Sequence, residues 1–265
     1  MIKNKHFDFG SNWKNYSRNA LTKDKVNCAL EDFCKLTKDI DLERKSLLDI
    51  GFGQGLTLLI SAKLGTASVG VDINPICEEA LNISRTYFPE LDRRKIPITV
   101  GSILSPNVVE VLKSKITSPG YDIVHSWGVL HHTGDMWGAI RNAASLVGPN
   151  GYLILALYNK HWTSPLWRLI KKTYMKAAPP MRHLMVGMYL PLSVLRMLIS
   201  GVNPLKRSRG MTLYYDAVDW VGGYPYEYTD KKELEKFMGV LGFELLKFVH
   251  TQGSTGCNEF VFRRC

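Results

Sequence analysis

Leu47-Leu48-Asp49-Ile50-Gly51-Phe52-Gly53-Gln54-Gly55 decides how this chain folds. Three apolar residues around one acid run straight into three alternating glycines. An apolar run that stops at Gly-x-Gly-x-Gly reads as a buried parallel strand, a tight turn and the start of a helix. The glycines let the backbone reach positive φ and let a ligand approach where a Cβ would stand in the way. Roughly 20 residues on, Val69-Gly70-Val71-Asp72 ends a second apolar strand in an acid, placed to accept hydrogen bonds from ribose hydroxyls. The two segments together describe a nucleoside-binding βαβ unit.

The spacing narrows the nucleoside. In the dinucleotide fingerprint Gly-x-Gly-x-x-Gly the third glycine packs helix on strand. Counted from Gly51, that position is Leu56, and the third glycine, Gly55, comes one residue early. An acid, Asp49, also stands two residues before the first glycine. A pyrophosphate favours helix N–H groups without a nearby carboxylate. A carboxylate there suits a cationic ammonium or sulfonium. The run resembles motif I of the class I S-adenosylmethionine-dependent methyltransferases. That resemblance spans Leu47 to Tyr158 and the C-terminal strands. It implies a Rossmann-like, seven-stranded, mostly parallel sheet with S-adenosylmethionine as cofactor and S-adenosylhomocysteine as product.

The rest of the chain fits such an α/β fold. Strands are expected at 46–50, 68–72, 97–100, 121–127 and 152–158, alternating with helices at 54–64, 74–87, 107–115 and 135–147. Gly148-Pro149-Asn150-Gly151 reads as a turn. A helix at 229–240 and strands at 243–250 and 258–263 follow, and the resemblance implies that these two strands close the sheet as an antiparallel hairpin. These elements divide the chain into an aromatic and helical N-terminal arm (1–40), a cofactor-binding core (41–160), a basic helical insert (161–215) and a C-terminal completion of the sheet (216–265). Within the insert, Pro165, Pro179, Pro180, Pro191 and Pro204 are expected to cut the helical pattern into short pieces. Its most apolar stretch, 184–200, is short for a membrane span. The insert reads as a lid over the substrate pocket, with an interfacial membrane contact as the alternative.

Charge singles out the same insert. The net charge of +10 rests on one segment: from Met136 to Tyr215 there are eleven bases and no acid, against 23 bases and 24 acids elsewhere. That asymmetry points to an anionic partner or to a solvated basic face. Five scattered cysteines form no Cys-x-x-Cys pair, so no metal site is expected, and they fit a reducing, cytoplasmic setting. Met1-Ile2-Lys3-Asn4-Lys5 leads into polar sequence rather than the apolar run of a signal peptide.

Ligands of open α/β sheets bind beyond the carboxyl ends of the strands. Asp49, Gly51, Phe52, Gly53 and Gly55 are expected around the methionyl part of the cofactor. By the resemblance, Asp72 takes the ribose and Ile73 packs on the adenine. Ser102 and Ile103 follow the third strand, where many family members carry an acid that touches the adenine amine. Trp127 and Gly128 would flank the sulfonium. Trp13 and Tyr16 would close over the cofactor or pack on the core. His131 and His132, in a Leu-His-His loop after the fourth strand, are candidate bases if their pKa lies near neutrality, or loop anchors if not. Arg168, Lys171 and Lys172 are expected to hold an anionic acceptor. Asp216, Asp219 and Tyr224 would orient it or satisfy lid arginines.

The expected activity is methyl transfer to a small acceptor at oxygen, the acceptor being phosphorylated, sugar-like or lipid-linked. The alternatives are a tRNA wobble-uridine methyltransferase and a non-catalytic nucleoside-binding partner protein. Oligomeric state is not readable from the sequence.

Overall fold

The computed structural model describes residues 6–92, 95–199, 201, 212–251 and 256–265. Two helices, α1 (Phe9–Asn19) and α2 (Lys23–Leu36), precede the sheet. Then β1 (Ser46–Ile50), α3 (Leu56–Lys63), β2 (Ala67–Asp72), α4 (Ile76–Arg85), β3 (Ile98–Val100), α5 (Pro106–Ser114), β4 (Tyr121–Trp127), α6 (Met136–Ser145) and β5 (Val147–Tyr158) alternate. Helices α7 (Ser164–Lys176), α8 (Pro179–Ile199) and α9 (Leu213–Gly222) follow, and α10 (Lys231–Val240), β6 (Phe243–Val249) and β7 (Cys257–Arg264) close the fold.

The seven strands form one sheet in the order β3-β2-β1-β4-β5-β7-β6. All pairs are parallel except β5–β7 and β6–β7. The central strands are apolar on both sides because helices cover both faces. Leu48, Val124, Leu153 and Leu155 pack towards α6, while Leu47, Ile123 and Ile154 pack towards α2 and α3. The strand order reverses between β1 and β4, and the crevice at that switch point opens at their C-terminal ends. Side chains fix the helix starts locally: Asp135 Oδ1 accepts from Gly138 N–H at 3.0 Å, and Asp230 Oδ1 from Glu233 N–H at 2.9 Å.

Three expectations shift. The Gly148–Gly151 turn lies inside β5 as an irregular stretch, with Asn150 at φ 56° and a register shift between Tyr121 and Ile123 on the neighbouring strand. The described prolines do not cut the insert into short pieces, and Pro204 lies outside the described residues. Pro165 and Pro179 sit in first turns, where a missing N–H costs nothing, and Pro191 lies on the exposed side of the 21-residue α8. Asp216 and Asp219 lie on α9, which crosses the expected boundary at 215/216 and packs against α7, α8 and α1, while Tyr224 follows the helix. Lys206, Arg207 and Arg209 of the insert lie outside the described residues.

The glycine turn carries the tightest backbone demand. Gly51, Gly53 and Gly55 sit at φ +73°, +55° and +78°. A Cβ on Gly55 would stand 2.2 Å from Leu81 Cδ1 in the packed interior. Gly55→Ala is therefore expected to destabilise the protein by about 3 kcal/mol, from left-handed strain plus overpacking. Denaturant unfolding checks this, and an unchanged midpoint would remove the packing argument.

Candidate functional site: the crevice at the strand ends

Asp72 organises the crevice. Its Oδ2 accepts from Gly53 N–H at 3.1 Å and its Oδ1 from Asn74 N–H at 2.9 Å. Burial pushes its pKa up, and these backbone hydrogen bonds pull against that. A carboxylate offers about four lone-pair directions, so acceptor capacity remains for a ligand. Beside it, Ile73 and Val100 stand exposed at the neighbouring ends of β2 and β3, an apolar shelf next to a polar anchor. Across the crevice, Gly128 lies at φ +74° with open space where a Cβ would project.

Helix α1 roofs the glycine turn. A Cβ on Gly53 would meet the Trp13 indole at 3.1 Å, so that ring lies directly over the turn. The helix is held at two places. Asn74 Nδ2 donates to its capping residue Asp8 at 2.7 Å. Asn12 Nδ2 donates to Asp219 Oδ1 on α9 at 2.7 Å and to Tyr215 O at 3.2 Å. Tyr16 points away from the crevice into the core, edge-on to Trp13 and to Tyr215, and burial raises its pKa. Of the two expectations for these aromatics, Trp13 covers the turn and Tyr16 packs on the core.

Other expected residues take different positions. Asp49 turns sideways, its Oδ1 2.8 Å from His125 Nδ1 on β4, with Phe33 edge-on to that ring. Phe52 packs in the core that Leu47 and Ile123 share. Ile103 is buried in the opposite core rather than lining the crevice, because its chain segment turns inward to receive Asn142 Nδ2 on its carbonyl. Ser102 closes a local turn, accepting from Leu104 N–H at 3.2 Å. Trp127 Nε1 donates to Glu259 Oε1 at 2.7 Å across β5, with Ala156 between them in register.

The histidines do not meet the requirement of a near-neutral base. His131 is fully buried, and its Nδ1 accepts from Tyr158 N–H at 3.3 Å. Burial, then its neighbours His132 and Lys171, drive its pKa well down. His132 Nδ1 contacts Pro225 O at 2.6 Å as a donor, and burial with Lys171 nearby lowers its pKa to about 3. Both are neutral imidazoles. His132 Nδ1–H faces the Pro225 carbonyl, and His131 Nε2 has no hydrogen-bond partner, which suits the two rings as donors and anchors.

Lys171 and Lys172 part company. Consecutive helical residues lie about 100° apart and cannot share a face. Lys171 points inward with no exposed surface, its ammonium 4.6 Å from the Trp220 ring centre, 5.0 Å from Tyr226 and 5.4 Å from Tyr158. It donates to Trp220 O. Burial lowers its pKa to about 7, with Asp219 and Asp216 opposing. Lys172 is exposed on the outer side, so the expected trio of anion-binding bases does not form; Arg168 is exposed too, within electrostatic reach of Glu227. Asp216 and Asp219 do share the inward side of α9, and burial raises the Asp219 pKa. Tyr224 is half-buried beside Pro225. Among the described residues, no cluster of His, Cys, Asp and Glu could hold a metal ion. Sequence reading picked out Asn258 and Glu259 on the last strand as candidates, and it missed Asn12, His125 and Val100 as parts of this region. Asn12 and His125 act through partners far away in the chain, and only the exposed apolar Val100 at a strand end carried a local signal.

Comparison with known proteins gives a family. A family model described as a methyltransferase domain matches residues 23–247. A ubiquinone biosynthesis O-methyltransferase of Pelagibacter ubique (strain HTCC1062) is 26% identical over 145 residues, 55% of this chain and 55% of that protein. Its counterpart in Vibrio vulnificus (strain YJ016) is 26% identical over 163 residues, 62% of this chain and 64% of that protein. The chain thus spans less than two thirds of the length of these curated relatives. Among solved structures, magnesium protoporphyrin IX methyltransferase from Synechocystis PCC 6803 with bound SAH superimposes with a TM-score of 0.52 at 17% identity, covering 92% of this chain and 83% of that one. An O-methyltransferase family protein from Burkholderia thailandensis superimposes with a TM-score of 0.52 at 12% identity, covering 88% and 55%. At those identities the likeness is one of fold.

The buried lysine yields a pH signature. Its folded pKa of about 7 lies below the roughly 10.4 of an unfolded lysine. Between those values the unfolded chain holds a proton that the fold does not, so Lys171 weakens the fold most at and below neutral pH and progressively less as pH rises towards 10. Lys171→Met is expected to gain stability over the parent protein near pH 6, on the order of 3 kcal/mol, and to lose that gain near pH 10. Paired denaturant titrations at the two pH values test it; a pH-independent difference would contradict the buried-charge account.

Proposed function

The chain belongs to the methyltransferase-domain family, and from that membership we propose that it transfers a methyl group from S-adenosylmethionine to an oxygen of a small acceptor. The observation that carries the cofactor reading is the joint between Gly53 and Asp72: a glycine turn at positive φ whose N–H is clamped by the acid ending the next strand. Bound there, the cofactor supplies a methyl group already activated on a positively charged sulfur.

The chain's own residues fit that group. The Asp72 carboxylate has lone pairs left for ribose hydroxyls. Ile73 and Val100 offer an apolar shelf for a base, and Gly128 leaves open room on the far side of the crevice. Asp49 is held by His125, which keeps a carboxylate beneath the glycine turn.

No strong base is required of the histidines. The methyl donor is already a good electrophile, and alignment supplies much of the rate. Two buried donors, His131 Nε2 and Trp220 Nε1, have no hydrogen-bond partner, and their rings flank Tyr158 at 3.9 and 5.3 Å. Buried unpaired donors call for a water or a ligand. We assign the cluster of His131, Tyr158, Lys171 and Trp220 to the acceptor's polar end. Oxygen as the methylated atom is read from the curated relatives, which are O-methyltransferases by name. An anionic acceptor would meet Arg168 at the rim and the partly protonated Lys171 within.

S-adenosylhomocysteine at about a hundredfold excess over its Kd is expected to raise the melting temperature by roughly 5 °C, and NAD to leave it unchanged. Asp72→Ala should abolish the shift. Failure of the parent protein to respond to S-adenosylhomocysteine would sink the cofactor reading.

A further inference from the structure

Helix α8 has two faces of unlike use. Val186 and Ser193 are buried, with Tyr189 and Leu190 partly so, against Tyr174 of α7 and Ala217 and Val221 of α9. The opposite face carries Met181, Leu184, Met188, Leu192, Leu195 and Ile199, each between 50% and 78% exposed. Their spacing of three and four residues makes one continuous stripe along the helix. A surface helix of a soluble protein carries polar residues there, and a contiguous apolar patch of this extent marks an interaction site.

The stripe has a neighbour of the same character. Trp162, 84% exposed, precedes α7, and Leu166 and Leu169 follow it at intervals of four and three, both exposed. Interleaved with them stand Arg168, Lys172 and Lys176, all exposed. No acid occurs between Asp135 and Asp216, so no carboxylate on either helix neutralises these bases.

We propose that the outer face of α7 and α8 docks on an anionic lipid surface, with α8 lying in the plane of the headgroups. Charge decides among occupants. A second copy of the chain would bring one acid-free basic face against another, and like charges brought together oppose association. An anionic bilayer meets both features at once, taking the aliphatic stripe below the headgroups and the bases at their level. Trp162 has the ring type that favours that boundary. The helix does not span: among the described residues no helix is long and apolar enough to cross a membrane, and the other face of α8 is committed to α9. Lys171 lies on the inner side of α7, so docking of the outer side sets the cluster around Lys171 on the same helix as the interface. The proposal stands independently of the methyl-transfer reading.

Vesicle co-sedimentation of the full chain tests it, with phosphatidylcholine vesicles and with vesicles that also contain phosphatidylglycerol. The parent protein is expected to sediment with the anionic vesicles at low ionic strength, to stay in the supernatant with the neutral ones, and to be released by salt. The double variant Met188→Glu, Leu192→Glu changes only exposed positions and should keep the parent melting temperature. It should lower partitioning tenfold or more, since charges are costly among acyl chains. Lys172→Glu with Lys176→Glu should weaken binding to anionic vesicles alone. A parent protein that remains in the supernatant with anionic vesicles at low ionic strength overturns the proposal. So does a Met188→Glu, Leu192→Glu variant that binds as the parent does, or one that merely converts a vesicle-indifferent dimer to a monomer in sedimentation analysis.

Discussion

One hydrogen bond ties the chemistry of this molecule to its fold: Gly53 N–H to Asp72 Oδ2, at 3.1 Å. It joins the loop after β1 to the last residue of β2, and it needs both a residue that tolerates φ +55° and an acid at the neighbouring strand end. With the two strands parallel and adjacent, their exits lie side by side, and the crevice forms where β4 takes the other side of β1. Helix α1 then has a fixed floor to lie on. Its Trp13 covers Gly53, and its polar residues reach Asn74 on one side and Asp219 on the other.

Above that floor two polar environments are kept apart. The crevice itself is lined by backbone N–H groups and Asp72. The cluster beside α9 is buried and aromatic, and it holds groups whose charged forms burial disfavours: His131, His132, Lys171 and Asp219. Lowering three basic pKa values and raising an acidic one are the same effect seen from both signs. Such a cluster exchanges protons poorly with solvent. It favours a reaction in which orientation matters more than proton abstraction, in keeping with the proposed transfer.

Much of this was legible in the chain. Leu47 to Gly55 and Val69 to Asp72 predict β1, the glycine turn and β2 because apolar runs, glycines and a terminal acid are local signals. The fourth strand is read without error at 121–127 for the same reason. What failed was non-local. Nothing near His131 in sequence tells that Tyr158 and Lys171 will stand against it. The bases of the insert were countable but not divisible into inner and outer sets until the helix phase of Lys171 and Lys172 was known. Prolines suggested breaks in the insert, yet a proline in a first turn or on an outer face leaves a helix intact. Asn12 and Asp219, 207 residues apart, could be paired only by the fold.

The margins of the sheet bear on how this protein keeps to itself. At one rim, β3 is three residues long and so offers little ladder to a stranger's strand. At the other, β6 slips register between Leu245 and Lys247, and the Lys247 ammonium caps the final carbonyls of α2 at Lys35 and Leu36. A short rim and a bulged, lysine-bearing one are poor templates for cross-molecular strand addition. Crowded copies of this protein are thereby steered from fibril-like growth, and contacts with the outside world fall to helices instead.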